Sequence, residues 1–85
     1  MAKDGELELN TEKAKDYIAQ FQLLQAKYWK AKTWAEFSQK DIDKSSELVI
    51  RAEGFLSYAL RRGKIPKGLA MRLDELIKWI DSLAK

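Results

Sequence analysis

Apolar side chains recur three and four residues apart along most of the chain, and this spacing strongly limits the folds it can adopt. Such spacing places the side chains on one face of an α-helix, whereas a half-buried strand would need strict alternation. The pattern runs from residue 14 into the thirties and appears again over 48–59 and 69–84. One proline and four glycines are the only strong helix breakers among 85 residues. The sequence therefore predicts an all-α fold.

The start of the first helix is predicted from a change in pattern. Residues 1–9 are rich in acids and show no sustained periodicity, so they are predicted to form a flexible acidic arm. Asn10 and Thr11 follow, and both are residue types favoured at helix N-caps. A single helical domain is therefore expected over residues 10–85.

The end of the first helix is left open by the sequence. Thr33 and Glu36 have the spacing of a capping box, in which a hydroxyl and a carboxylate three residues later each accept a backbone N–H. The helix can therefore stop near Lys32 and restart, or it can continue to Ser38. In either case the polar segment 39–46 is predicted to be a connection that ends in a new N-cap.

The second and third helices have clearer boundaries. Gly63 is expected to end the second helix in the left-handed conformation, and Pro66 is suited to begin the third. Gly54 lies inside the second helix, and we expect a closely approaching neighbouring helix to explain it. The short connection makes the last two helices antiparallel. The predicted fold is a compact three-helix bundle, with a long first helix and a short antiparallel hairpin of helices 2 and 3.

The composition argues against an enzyme. Cysteine and histidine are both absent, which removes thiolate nucleophiles, disulfides, the commonest general base and the commonest metal ligand. Neighbouring acids occur at 41/43 and 74/75, but they are better interpreted as solvated surface groups. The glycines match no phosphate-binding motif. We therefore expect a non-enzymatic protein that needs no cofactor and no metal.

The apolar segments are too short for a membrane protein. No stretch approaches the roughly 18 consecutive apolar residues that a spanning helix needs. The first residues also lack the basic and then apolar pattern of a secretory signal. We expect a cytoplasmic protein without membrane contact.

Positive charge is concentrated in two parts of a chain whose net charge is only +3. Five bases and no acid lie between positions 61 and 72, where a helix ends and another begins. Helix N-termini favour anions, so the first hypothesis is a nucleic-acid-binding or regulatory module that uses this basic turn, aided by lysines near position 30. The alternative is that these bases only cap a helix and solvate a loop. The candidate nucleic-acid-binding residues are Arg61, Arg62, Lys64, Lys67, Arg72, Lys27, Lys30 and Lys32.

Tryptophan supplies a second hypothesis of a different class. Trp29 falls one position off the apolar stripe, Trp34 lies near the uncertain helix end, and Trp79 lies at the edge of the third stripe. Exposed tryptophans are frequent in the energetic centres of protein interfaces. These three residues predict a protein-interaction module, either a self-associating bundle or an adaptor or inhibitor of a larger machine.

The segment from Arg62 to Pro66 resembles the end of the recognition helix in compact phage-repressor-type helix-turn-helix proteins. In that family an Arg-Gly-x-Ile-Pro-like turn can lead into an amphipathic helix. The family's tight glycine turn before the recognition helix has no counterpart between Lys44 and Leu60. The resemblance therefore covers only this turn, and it does not assign the chain to the family.

Overall fold

A computed structural model describes residues 5–83, which form three α-helices that all pack against one another. These are α1 (Gly5–Tyr28), α2 (Gln39–Arg62) and α3 (Lys67–Asp81), with a 3-10 helix at Trp34–Glu36 between the first two. The bundle is elongated, with extents of 51 × 19 × 19 Å. The predicted all-α three-helix bundle is confirmed.

The first helix begins earlier than predicted. α1 already includes residues 5–9, so the interpretation of this segment as an arm and of Asn10 as an N-cap is wrong. Asn10 continues the buried stripe towards the N-terminus, and its side chain is almost completely enclosed. The spacing of apolar residues did not reveal this earlier start, because the buried residue is polar. Residues 1–4 of the predicted arm lie outside the described residues.

The first helix also ends earlier than either predicted position. α1 stops at Tyr28, and the chain folds back so that the ring of Phe37 stacks on that of Tyr28 with a centroid separation of 3.8 Å. The predicted capping box is present, because the Glu36 carboxylate accepts the N–H of Thr33 at 3.1 Å. The segment between α1 and α2 is therefore a turn held by its own side chains.

The predicted connection over residues 39–46 is wrong, because α2 already begins at Gln39. Ser38 is the N-cap, and its hydroxyl accepts the N–H of Asp41 at 3.2 Å. Most polar residues in this stretch are exposed, but the Asp41 side chain is largely covered. Ser45 is fully buried, and its hydroxyl has no hydrogen-bond partner among the described residues. The first helix is long, as predicted, but α2 is equally long, since α1 and α2 each contain 24 residues, so the hairpin of helices 2 and 3 is not short.

The signals around the second turn are confirmed. Gly63 ends α2 in the left-handed conformation with φ 64°, and Pro66 directly precedes the first residue of α3. The explanation offered for Gly54 is wrong, since a Cβ built there would meet nothing within 4 Å. Glycine inside a helix costs about 1 kcal/mol relative to alanine, and no contact within the described chain accounts for it.

The apolar stripe of α3 supplies much of the core. Leu73, Leu76 and Ile80 are among the most completely buried large side chains, together with Phe21 of α1. Leu83 is also buried, whereas Ala84 lies outside the described residues. Burial of these side chains provides the main stabilisation of the bundle and fixes the position of the basic turn.

Candidate functional site

Arg62 of the basic turn is bound to the first turn of α1. Its guanidinium donates to both carboxylate oxygens of Glu6, at 2.5 and 2.9 Å. It also lies 5.4 Å from the ring centroid of Tyr58. The hydrogen bonds from Arg62 hold the pKa of Glu6 below its usual value. Arg62 therefore has a structural role in joining α1 to α2.

The backbone of the same turn is held by Asn10. The Asn10 amide donates to the carbonyl of Lys64 at 2.9 Å, and this bond joins the first helix to the connection between the other two. The side chain of Ile65 is buried against the core from the same turn. The turn is consequently fixed at several points.

The N-terminus of α3 lies directly after this fixed turn and has the properties of an anion site. No side chain caps it, and its first turn contains no acid. Its first N–H groups have no partner within the helix, and the helix dipole favours negative charge there. Lys67 is exposed in its first turn, Arg61 is exposed in the last turn of α2, and Lys64 of the connection is half-buried. These groups are arranged so that they can bind a phosphate without reading sequence.

Arg72 lies further along α3 and is half-exposed. Its guanidinium is 3.6 Å from the carboxylate of Glu75, one turn away in the same helix. Thus Arg61, Lys64 and Lys67 lie around the turn next to the Glu6-bound Arg62, whereas Arg72 lies further along α3.

The second basic stretch is at the other end of the bundle. α1 and α2 are antiparallel, because Glu6 meets Arg62 at one end and Lys27 meets Asp41 at the other. The rise per residue of a helix separates Glu6 and Lys27 by about 30 Å along α1. The lysines at 27, 30 and 32 therefore do not join the turn in one continuous surface.

Two of those three lysines contact their own chain. Lys27 donates to Asp41 at 2.8 Å, and the ammonium of Lys30 lies 4.8 Å from the ring centroid of Trp29. Lys32 has an exposed side chain, while its backbone N–H donates to Glu36. Lys27 lies in the last turn of α1 and the other two lysines follow it, at the end of the helix where the dipole favours cations and disfavours an anionic ligand.

The contact between Asp41 and Lys27 at this end should make the free energy of unfolding depend on pH in the acid range. Hydrogen bonds from Lys27 and then Tyr28 lower the pKa of Asp41 from 3.8 to about 2. A lowered pKa in the folded state gives stabilisation that is complete above the unfolded value and is lost as pH falls towards about 2. We expect Asp41→Asn to be less stable than the parent above about pH 5, with the difference shrinking between about pH 4 and 2. Urea unfolding of both proteins across this range measures it, and a difference that stays constant would contradict the assignment.

The three tryptophans have different environments. Trp29 is 66% exposed, whereas Trp34 and Trp79 are half-buried and pack against the core. Trp34 and Trp79 therefore offer less accessible surface to a partner than Trp29 does, and their role in a partner surface stays a prediction. Tyr28 is also half-buried and packs against the core.

Sequence reasoning missed the two residues that hold the basic turn in place, Glu6 and Asn10. A signal for them exists, because Asn10 lies four residues before Ala14 and Glu6 lies four before Asn10. This spacing continues the inner face of α1 through polar residues. Periodicity counted on apolar residues alone therefore overlooked it.

Three further findings do not point to any class of function. Within residues 5–83, no three acidic side chains are grouped so that they could hold a metal ion. No helix in this range has both the length and the apolar character needed to span a bilayer. Comparison of the chain with protein-family models, curated proteins and solved structures found no significant match.

Proposed function

We propose that this chain is a small cytoplasmic, non-enzymatic module that binds nucleic acid through the turn between α2 and α3. The observation that carries the proposal is the uncapped, acid-free N-terminus of α3 beside exposed Arg61 and Lys67. The turn is held by Asn10 and by the ion pair between Glu6 and Arg62, so its backbone needs little ordering when a phosphate binds.

The chemistry of the turn favours contacts with the phosphate backbone. Each lysine or arginine that neutralises a phosphate releases condensed counterions, which makes affinity depend steeply on salt. Apart from the Glu6-bound Arg62, the exposed groups of the turn are one arginine, one lysine and backbone N–H groups, which is too few side chains to read a series of base edges. We therefore propose binding that is strong at low salt and has little sequence preference. A regulatory role would follow, because the bound chain would occupy its site on the nucleic acid.

The test compares two pairs of lysines at opposite ends of the bundle. The first variant combines Lys64→Gln with Lys67→Gln, and the control combines Lys30→Gln with Lys32→Gln. Both lose two positive charges, so they differ in position and not in net charge. Glutamine is preferred to glutamate because Lys64 lies close enough to influence the Glu6 carboxylate.

Fluorescence anisotropy with a labelled DNA duplex and a labelled RNA strand, at several salt concentrations, gives the result. The turn variant should lose affinity and reduce the salt slope by about 2, whereas the control should retain the parent slope. Equal losses in both variants would show that only net charge matters. A parent protein without affinity for either nucleic acid at low salt would refute the proposal.

A protein-interaction module remains the second candidate function. Trp29 is the observation that favours it, because two thirds of this large side chain is accessible to a partner. If nucleic-acid binding is absent, this second candidate becomes the leading one. The half-buried Trp34 and Trp79 are less suited to a partner surface, since they already pack on the core.

A further inference from the structure

On the face of α2 that points away from the bundle, large and charged side chains are spaced symmetrically on either side of Gly54. Ile50 and Tyr58 lie four residues to either side of this glycine, and Glu47 and Arg61 lie seven residues to either side. Residues three and four apart share one face of a helix, so these five positions form a single row. All five are exposed.

The two large side chains in this row lack a partner large enough to cover them. Ile50 is 72% exposed and Tyr58 is 49% exposed. A single exposed apolar residue on a protein surface needs no explanation. Here two of them flank a glycine symmetrically on one helix face, and this arrangement is typical of a surface at which another helix packs.

Gly54 provides an independent indication of close approach. A Cβ at this position would meet nothing within 4 Å, so the described chain gives no reason for a glycine. Its presence weakens the helix. A small residue at the centre of a helix crossing allows two backbones to come close together, and the row places Gly54 at its centre.

We propose that this row is a self-association interface, at which α2 packs antiparallel against α2 of a second copy of the chain. A two-fold axis through Gly54 places Ile50 opposite Tyr58 of the second copy. The same axis places Glu47 opposite Arg61 of the second copy, and each of these contacts occurs twice.

The charges identify a second copy as the occupant. In this row an acid and a base lie at equal distances on either side of Gly54. Two copies of the row therefore bring opposite charges together only when the two helices run antiparallel, and a two-fold axis imposes this orientation. Glu47 already pairs with Arg51 in its own helix at 2.7 Å. A carboxylate can accept several hydrogen bonds, so Glu47 can bind Arg61 of the second copy as well.

The ring of Tyr58 is also held ready for this contact. Its hydroxyl lies 3.4 Å from a carboxylate oxygen of Glu6, and the guanidinium of Arg62 lies 5.4 Å from its ring centroid. These contacts leave about half of the side chain accessible. Tyr58 therefore loses little conformational freedom when it packs against a second copy.

A charge-swap experiment tests the pairing directly. The variants Glu47→Arg and Arg61→Glu each create two like-charge contacts in a symmetric dimer. Each should raise the dimer dissociation constant roughly 100-fold relative to the parent. An equimolar mixture of the two variants restores opposite charges at both ends, so it should recover the dimer mass. Sedimentation equilibrium at low salt measures all four samples.

The outcomes decide the proposal. A parent protein that stays monomeric at the highest soluble concentration would overturn it. A dimer that survives Arg61→Glu unchanged would also overturn it, because association would then use another face. Recovery of the dimer in the mixture supports the antiparallel pairing, since a general effect of net charge would not restore it.

A second set of variants separates association from folding. Gly54→Leu should keep or raise the melting temperature in dilute solution, because the space around Gly54 is open, and should abolish the dimer. Ile50→Ser should weaken the dimer by roughly 10-fold or more, whereas Leu23→Ser on the exposed side of α1 should not. Leu23 is a matched control, since it is 70% exposed. The Gly54, Ile50 and Leu23 variants retain Arg61, Lys64 and Lys67, so with them a failure of self-association is distinguishable from a failure of nucleic-acid binding.

Discussion

Replacing Ile80 by alanine should lower the free energy of unfolding by about 2–5 kcal/mol, because it removes three carbon atoms from a closely packed core. The Ile80 side chain is 1% exposed, on the α3 face that packs in the bundle. A small domain has about 5–15 kcal/mol of stability in total. The substitution should therefore shift the urea midpoint strongly and can leave the protein partly unfolded at room temperature.

The matched control is the same substitution at an exposed position. Ile50 is 72% exposed, so Ile50→Ala should change the free energy of unfolding by no more than about 0.5 kcal/mol in dilute solution. Urea unfolding followed by far-UV circular dichroism measures both variants. If Ile80→Ala retained nearly all of the parent stability, α3 would not be packed as described.

Replacing Asn10 by aspartate should destabilise the fold by about 3–5 kcal/mol at neutral pH, because it places an uncompensated carboxylate at a buried position. Asn10 is 5% exposed and donates to the carbonyl oxygen of Lys64. A carboxylate cannot donate, and it would repel this oxygen. The result distinguishes a buried Asn10 inside α1 from an Asn10 at a helix N-cap, since aspartate and asparagine are equally good N-caps.

The effect of Asn10→Asp should depend on pH with a definite sign. Burial and the neighbouring carbonyl favour the protonated acid, so the folded-state pKa of the new carboxyl should lie above its unfolded value of about 3.9. Stability should therefore fall, relative to the parent, as pH rises above about 4. Asn10→Ala is the comparison, with a loss of about 1–3 kcal/mol that does not vary with pH. Equal stability of Asn10→Asp and the parent at neutral pH would contradict the buried position.

Local sequence signals were reliable where a boundary depends on the backbone of one residue. Gly63 adopts the left-handed conformation that ends α2, and Pro66 precedes α3, as predicted. The capping box that ends in Glu36 is also present. These features follow from steric limits and from hydrogen bonds between near neighbours, so they need no information about the rest of the fold.

Signals failed where a polar residue occupies a buried position. Asn10 and Ser45 both continue buried stripes, although the sequence pattern placed Asn10 at a helix N-cap and Ser45 in a connection. Their residue types favour caps in the absence of tertiary contacts. For Asn10 the deciding contact is the carbonyl of Lys64, 54 positions away in sequence, and no local pattern contains this partner.

The sequence by itself determined that the chain forms amphipathic helices, that they pack as a three-helix bundle, and that a dense group of cations occupies one turn. Proximity in sequence was sufficient for that group, because a short connection keeps its residues together. Only the tertiary structure decided which cations are engaged, such as Arg62 with Glu6, and that Trp34 is half-buried while Trp29 is exposed. It also decided that the two basic stretches lie about 30 Å apart, because α1 runs the length of the bundle between them.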